Sequence, residues 1–234
     1  MVAGDGNMRT TDTGSTTMRR WTRTYPVIAI ALLAAAAYVL VPGTAWAGDE
    51  GKEAKTAKVG SAAPDFTLKD TDGKEHKLSE YLKQGKTVVL EWFNPGCPFI
   101  LLHHEKQTTM NDMYTAYKDK NVVFLAINST HSGHPNYGKD AEAKKKFKME
   151  YPILIDAEGT VGRMYGAKTT PHMFVIDKGG TLRYAGAMDN DERGKKTGSE
   201  KVNYVRSALD ALLAGKTVAE PETKPYGCSV KYKD

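Results

Sequence analysis

Cysteine is scarce in this chain. Cys97 and Cys228 are the only two among 234 residues, too few for a disulfide scaffold. Charge of one sign is also missing. Residues 1–47 hold four Arg and two Asp, and residues 48–234 keep 29 basic and 26 acidic side chains, an ordinary solvated surface. No arginine stripe with interleaved aromatics occurs, which argues against nucleic-acid binding. No internal repeat is present. Nor is there an apolar run of spanning length: the longest, Val27–Val41, has fifteen residues. As a helix it would rise about 23 Å, short of a roughly 30 Å hydrocarbon core.

That run is nevertheless the first feature that is there. Arg9, Arg19, Arg20 and Arg23 precede it, and PGTAWAGDE follows, with Ala45 and Ala47 flanking Trp46 in A-x-A spacing. Positive region, apolar core and cleavage site stand in the order of a secretory signal. Residues 1–47 are therefore expected to be a signal peptide, or an uncleaved membrane anchor. Met18 onward is by itself well proportioned as a signal, so translation is expected to start there or at Met8. Arg19-Arg20 is too weak a match for a twin-arginine route. The mature chain is expected in the periplasm or another extracytoplasmic space, membrane-attached only if the segment is retained. There disulfides form and turn over.

Residues 48–58, rich in Lys, Glu and Ala, read as a flexible lead-in. From Asp65 two short strands flank the Asp72-Gly73 turn, with a helical turn at 78–83. TVVLEWF (87–93) and NVVFLAIN (121–128) read as strands covered on both faces. Between them NPGCP breaks the chain, and 98–119 reads as one helix with Pro98 in its first turn. A lysine-rich helix spans 140–147, YPILID is a short edge, and 161–165 is helical. HMFVID and LRYAGA pair across the Lys178–Thr181 turn. A helix over 199–213 ends at Gly215. This order predicts an α/β sandwich with a mixed central sheet flanked by helices, a domain over 59–215, and a tail over 216–234 carrying Cys228.

Cys97 follows a buried strand and starts a helix. Unpaired N–H groups there favour thiolate over thiol, and thiolate is the nucleophile. The Asn-Pro-Gly lead-in marks a loop tip rather than a core position, so a reactive cysteine is favoured over an inert one.

Trp92–Phe99, Asn128–Thr130, Tyr165–Asp177, Tyr184–Asp189 and Pro225–Tyr232 occur in the order seen in thioredoxin-fold redoxins. The chain resembles the alkyl hydroperoxide reductase/thiol-specific antioxidant superfamily, within an uncharacterised peroxiredoxin-like group. The resemblance covers about 59–213 and the tail, and implies a thioredoxin-like sandwich. By this likeness Cys97 takes the place of the attacking cysteine, and Ile100 that of the second cysteine of a CxxC motif. A vicinal dithiol cannot form. Asn94 stands where peroxiredoxins have threonine, and the peroxide-polarising arginine has no match, Lys168 being the nearest basic group. Pro171 takes the place of the cis-proline, and Thr170 would offer backbone groups to an incoming extended chain. Glu91 has the spacing of the buried acid that handles the resolving thiol's proton; the alternative is a solvent-facing strand-end Glu. His172 either lies near the sulfur, where an imidazolium would favour thiolate, or is a surface histidine.

The likeness marks the tail as a family feature, and Cys228 is expected to be its resolving thiol. Cys97 would attack a peroxide or a protein disulfide, Cys228 would resolve the product as a Cys97–Cys228 disulfide, and an external dithiol (a thioredoxin-like protein or a membrane thiol donor) would reduce the pair. Two alternatives stay open: a permanent staple closing a loop of about 130 residues, and sulfurs too far apart to pair. The expected activity is thus that of an exported thiol oxidoreductase without cofactor. The rivals are a non-catalytic binding module on the same scaffold and a copper or zinc metallochaperone using Cys97 with His103, His104, His131 or His134.

Overall fold

The computed structural model describes residues 56–233. The apolar segment, the A-x-A site and most of the expected lead-in lie outside the described residues. Among the described residues no helix is long and apolar enough to cross a membrane.

Seven strands form one mixed sheet in the order β2-β1-β5-β4-β3-β7-β8. β3 (Thr87–Trp92) and β4 (Val122–Asn128) are its parallel centre. β5 (Ile153–Ile155) continues the parallel part, and β1 (Thr67–Asp70) and β2 (Glu75–Lys77) follow it antiparallel. On the other side β7 (Met173–Ile176) and β8 (Leu182–Gly186) form the expected hairpin. YPILID is thus not an edge, because β5 lies between β4 and β1.

Strand alternation divides the core. Val88, Leu90 and Trp92 face a cluster with Leu78 of α1 (Leu78–Lys83) and Val161 and Tyr165 of α5 (Thr160–Tyr165). Val89 and Phe93 face the other cluster. It holds Met110, Met113 and Tyr117 of α3 (Thr109–Tyr117), Ala143 of α4 (Asp140–Lys146) and Val205, Ala208 and Leu209 of α6 (Tyr204–Leu213). Every residue of β3 is buried, as a strand covered on both faces requires. The result is the thioredoxin-like α/β sandwich.

Two departures from the sequence expectations, and the course of the tail, bear on the site. The segment 98–119 is not one helix. α2 (Pro98–Leu101) passes into a π-helical turn, Leu102–Lys106, and Thr108 stands at φ 50 before α3 begins. The final helix starts at Tyr204, where the Asn203 side chain accepts from Arg206 N–H as an N-cap. The tail is hydrogen-bonded to the domain. Ala185 N–H donates to Pro221 O, Thr223 N–H to Ala185 O and Val230 N–H to Lys168 O. Residues Cys228–Ser229 form β9 beside β6 (Thr169–Thr170).

Candidate functional site

The site lies at the carboxyl end of β3, where neighbouring strands leave the sheet centre in opposite directions, the usual place for chemistry in such sheets. Asn94 shapes its loop. The Asn94 Oδ1 accepts from Gly96 N–H at 2.9 Å and from Asn136 Nδ2 at 2.9 Å, while its Nδ2 donates to Thr130 Oγ1 at 2.8 Å. Gly96 is required by close approach: a Cβ there would stand 2.2 Å from Asn136 Nδ2. In sequence Asn94 carries no signal beyond the missing threonine. Its bonding partners come from the 128–136 loop, which no local pattern links to it.

Cys97 has extended backbone at the N-cap of α2, with Pro98 following. It is 2% exposed, and its Sγ donates to Thr170 O at 2.9 Å. The Thr170–Pro171 peptide is cis. On the other side of Thr170 lies the tail, with Thr170 opposite Cys228 and Thr169 opposite Ser229 in antiparallel register. Thr170 therefore adjoins both cysteines, and Cys228 packs against the buried cluster that holds Cys97. Both are free thiols in this structure. Burial and then the adjacent Cys97 push the half-buried Cys228 thiol up to about 11. Gly227 lets the tail pass: at φ 142, a Cβ there would lie 2.2 Å from Thr170 O.

Beneath the loop, Glu91 is 1% exposed, so it is not a solvent-facing strand end. Its Oε1 meets His104 Nε2 at 2.8 Å, and Tyr151 donates to Oε2 at 3.5 Å. His104 Nδ1 has no partner. A neutral ring donating from Nε2 leaves no buried N–H unsatisfied. The His104 ring packs against Phe93 and Phe147.

His103, the preceding residue, turns to the tail. Its Nε2 donates to the Tyr226 hydroxyl oxygen at 3.0 Å, and the Tyr226 O–H donates to Asp189 Oδ1. Burial lowers the His103 pKa, consistent with a neutral donor ring. Burial and the Asp189 carboxylate hold the Tyr226 phenol far above its ordinary value. The Tyr226 ring also lies against Phe99, two residues after Cys97. By sequence alone both histidines read only as candidate metal ligands. His131 and His134 are taken up in their own loop, accepting from Gly133 N–H and Asn136 N–H. Among the described residues no three His, Cys, Asp or Glu are grouped to hold a metal ion.

His172 is neither a surface residue nor a cation. It is buried, its Nδ1 accepts from Lys168 N–H at 3.3 Å, and its ring lies tilted against Phe174. Burial, aided by Lys168, brings its pKa to about 4, so near neutral pH the ring carries no charge to share with Cys97. A surface cavity of about 960 Å³ lies away from this chemistry, beside Thr87 at the opposite end of β3.

Comparison with known proteins gives the family and the fold. The AhpC/TSA family model matches residues 59–185. A thiol-disulfide oxidoreductase ResA of Geobacillus thermodenitrificans is 33% identical over 157 residues, 67% of this chain and 82% of that one. A chloroplastic peroxiredoxin Q of Gentiana triflora is 30% identical over 166 residues, 66% of this chain and 69% of that one. The crystal structure of an uncharacterized conserved protein from Geobacillus kaustophilus superposes with a TM-score of 0.64 at 29% identity, covering 75% of this chain and 93% of that one. The Cys97 loop and the cis-proline segment thus stand on a family scaffold, with the second thiol of the tail beside them, and the chain belongs to the AhpC/TSA family as a thiol-based redox enzyme related to thiol-disulfide oxidoreductases and peroxiredoxins.

Proposed function

We propose that the protein is an exported thiol oxidoreductase in which Cys97 is the nucleophile and Cys228 the resolving thiol, acting on peroxides or protein disulfides. The observation that carries this reading is the shared use of Thr170. Its carbonyl accepts from Cys97, and its backbone sets the register of Cys228.

The chemistry follows from that placement. Cys97 thiolate attacks a peroxide oxygen or a disulfide sulfur, giving a sulfenic acid or a mixed disulfide. Cys228 Sγ then attacks Cys97 Sγ. Water or the substrate thiolate leaves, and the Cys97–Cys228 disulfide remains. An external dithiol returns two electrons and two protons. Ile100 is fully buried and brings no sulfur, so Cys228 is the chain's own resolving group. Glu91, carried on the strand that leads into the site, is suited to accept or return a proton, with His104 fixing its carboxylate. Thr170 and Pro171 orient the sulfurs, and His172 supports them as a neutral packed ring. Export rests on the ordered signal-like features of residues 1–47.

Turnover with a peroxide or a disulfide substrate and a dithiol reductant tests the reading. Cys97→Ser should abolish it, and Cys228→Ser should lower it about a hundredfold while sparing the first attack. A fully active Cys228→Ser protein would remove the resolving role. An inert wild type would favour the binding-module reading, which the absence of sulfur at position 100 supports.

A further inference from the structure

A sheet edge beside a redox cysteine is where an extended polypeptide can add as a strand. Here that edge is occupied by the chain itself. Beyond the two register pairs, Val230 N–H donates to Lys168 O at 3.1 Å, and His131 N–H donates to Lys231 O at 2.9 Å. Five residues of tail thus lie extended across the site.

Alternation sorts their side chains. Cys228 faces Cys97. Val230 packs on the apolar cluster around Trp92 and Tyr165. Tyr232 enters a niche floored by Gly159 and Gly162, where a Cβ at either would come 2.5 Å from its ring or hydroxyl. Arg163 lies 4.6 Å from the Tyr232 ring centroid, and the Tyr232 O–H donates to Ala167 O at 2.9 Å. Ser229 points outward, where Lys231 Nζ reaches its hydroxyl. The cleft is therefore cut for a cysteine, an apolar residue two positions on and an aromatic residue four positions on.

One contact holds the near end of this strand. Tyr226 is anchored by His103 and by Asp189, whose Oδ2 has no hydrogen-bond partner although Lys201 Nζ stands 3.4 Å away.

We propose that residues 228–232 are a built-in occupant of the Thr169–Thr170 edge, latched by Tyr226, and that a polypeptide with a disulfide cysteine, an apolar residue two positions on and an aromatic residue four positions on must displace them to reach Cys97. The inference rests on Cys97 being the nucleophile. When the latch releases, the partner strand takes the tail's register. Cys97 thiolate attacks the partner's cysteine sulfur. The partner's S–S bond breaks, and its other sulfur leaves as thiolate. The returning tail brings Cys228 thiolate to Cys97 Sγ, forming the Cys97–Cys228 bond and expelling the partner cysteine as a second thiolate. The partner gains two electrons and the cysteine pair loses two. The protons given up by Cys97 and Cys228 pass through solvent to the leaving thiolates. Strand return thus resolves the bond and clears the edge in one motion.

The probe is a peptide of the sequence Tyr226–Lys233 whose cysteine carries a nitrothiobenzoate in a disulfide. Cys97 attack on the peptide sulfur releases the coloured thiolate. Three proteins are compared: Cys228→Ser, and the same variant with Tyr226→Phe or with Gly227→Ala, whose Cβ would strike Thr170 O. Loss of the Tyr226 hydrogen bond to the Asp189 carboxylate in one latch variant, and the clash of the new Cβ with Thr170 O in the other, each predict release from the peptide about tenfold faster. A peptide with Ser in place of the Val and second Tyr should lose most of that gain. The symmetrical aryl disulfide, which needs no strand, should gain less than the peptide. Equal gains for the matched peptide, the altered peptide and the small disulfide would overturn docking, as would no gain at all. Failure of Cys97 to react with any of the three probes would overturn the nucleophile assignment and the docking inference with it.

Discussion

The two sides of Cys97 are built differently. On the inner side, the 94–97 loop is tied to the 128–136 loop through Asn94, and below it Glu91, His104 and Tyr151 form a buried polar group among aromatic rings. On the outer side, Cys228 lies on a tail strand added beside Thr169–Thr170, tied by a few backbone bonds, by Val230 and Tyr232, and by the Tyr226 hydroxyl bonded to Asp189. The two adjacent histidines express the contrast, His104 turned to the core and His103 to the tail. A nucleophile must keep one geometry, whereas a resolving thiol must approach, bond and withdraw. In the proposed cycle, Cys97 as nucleophile sits against the core and Cys228 as resolving thiol sits on the added tail strand.

If this contrast is real, damage to the inner side should cost global stability and damage to the outer side should not. Glu91→Ala leaves the buried His104 N–H and Tyr151 O–H without their acceptor and should lower unfolding free energy by about 3 kcal/mol, read by denaturant titration. Gly96→Ala forces the loop away from Asn136. It should cost roughly 1–3 kcal/mol and slow alkylation of Cys97. Tyr226→Phe should cost only about 1 kcal/mol globally, yet hydrogen exchange at Thr170 and Val230 should quicken well beyond that of β3. Equal protection losses in β3 and β9 would erase the contrast.

The smallest expected effect is one of pH. The Cys228 thiol is raised in the folded state from 9.0 to about 11. The unfolded chain therefore releases this proton first as pH rises. The contribution is fully present below about pH 9 and lost towards pH 11. Reduced wild type should lose stability across that window, and Cys228→Ser should lose less. Equal slopes would show that Cys228 is not buried against Cys97.

The sheet was legible because its central strands are continuous apolar runs, and because five motifs of the family stand in order along the chain. Cys97 was legible through its strand–loop–helix setting. What was hidden depends on distant partners. β9 has two residues and no period, and its register comes from Gly227 passing Thr170. The helix break at Thr108 falls where neither Gly nor Pro announces it. Glu91 left burial and exposure open until His104, thirteen residues on, was seen to face it. His172 lost its expected charge through burial, which a residue flanked by proline and methionine does not reveal.

The central claim is that Cys97 and Cys228 form a disulfide in turnover rather than serving as a permanent staple. Intact-mass analysis of reduced wild type and Cys228→Ser after one equivalent of hydrogen peroxide tests it most directly. The account predicts that wild type loses two hydrogens, reversed by a mild dithiol, and that Cys228→Ser gains one oxygen on Cys97 or forms a Cys97-linked dimer. Wild type with oxidised Cys97 and free Cys228 would contradict it, as would a disulfide that resists the dithiol.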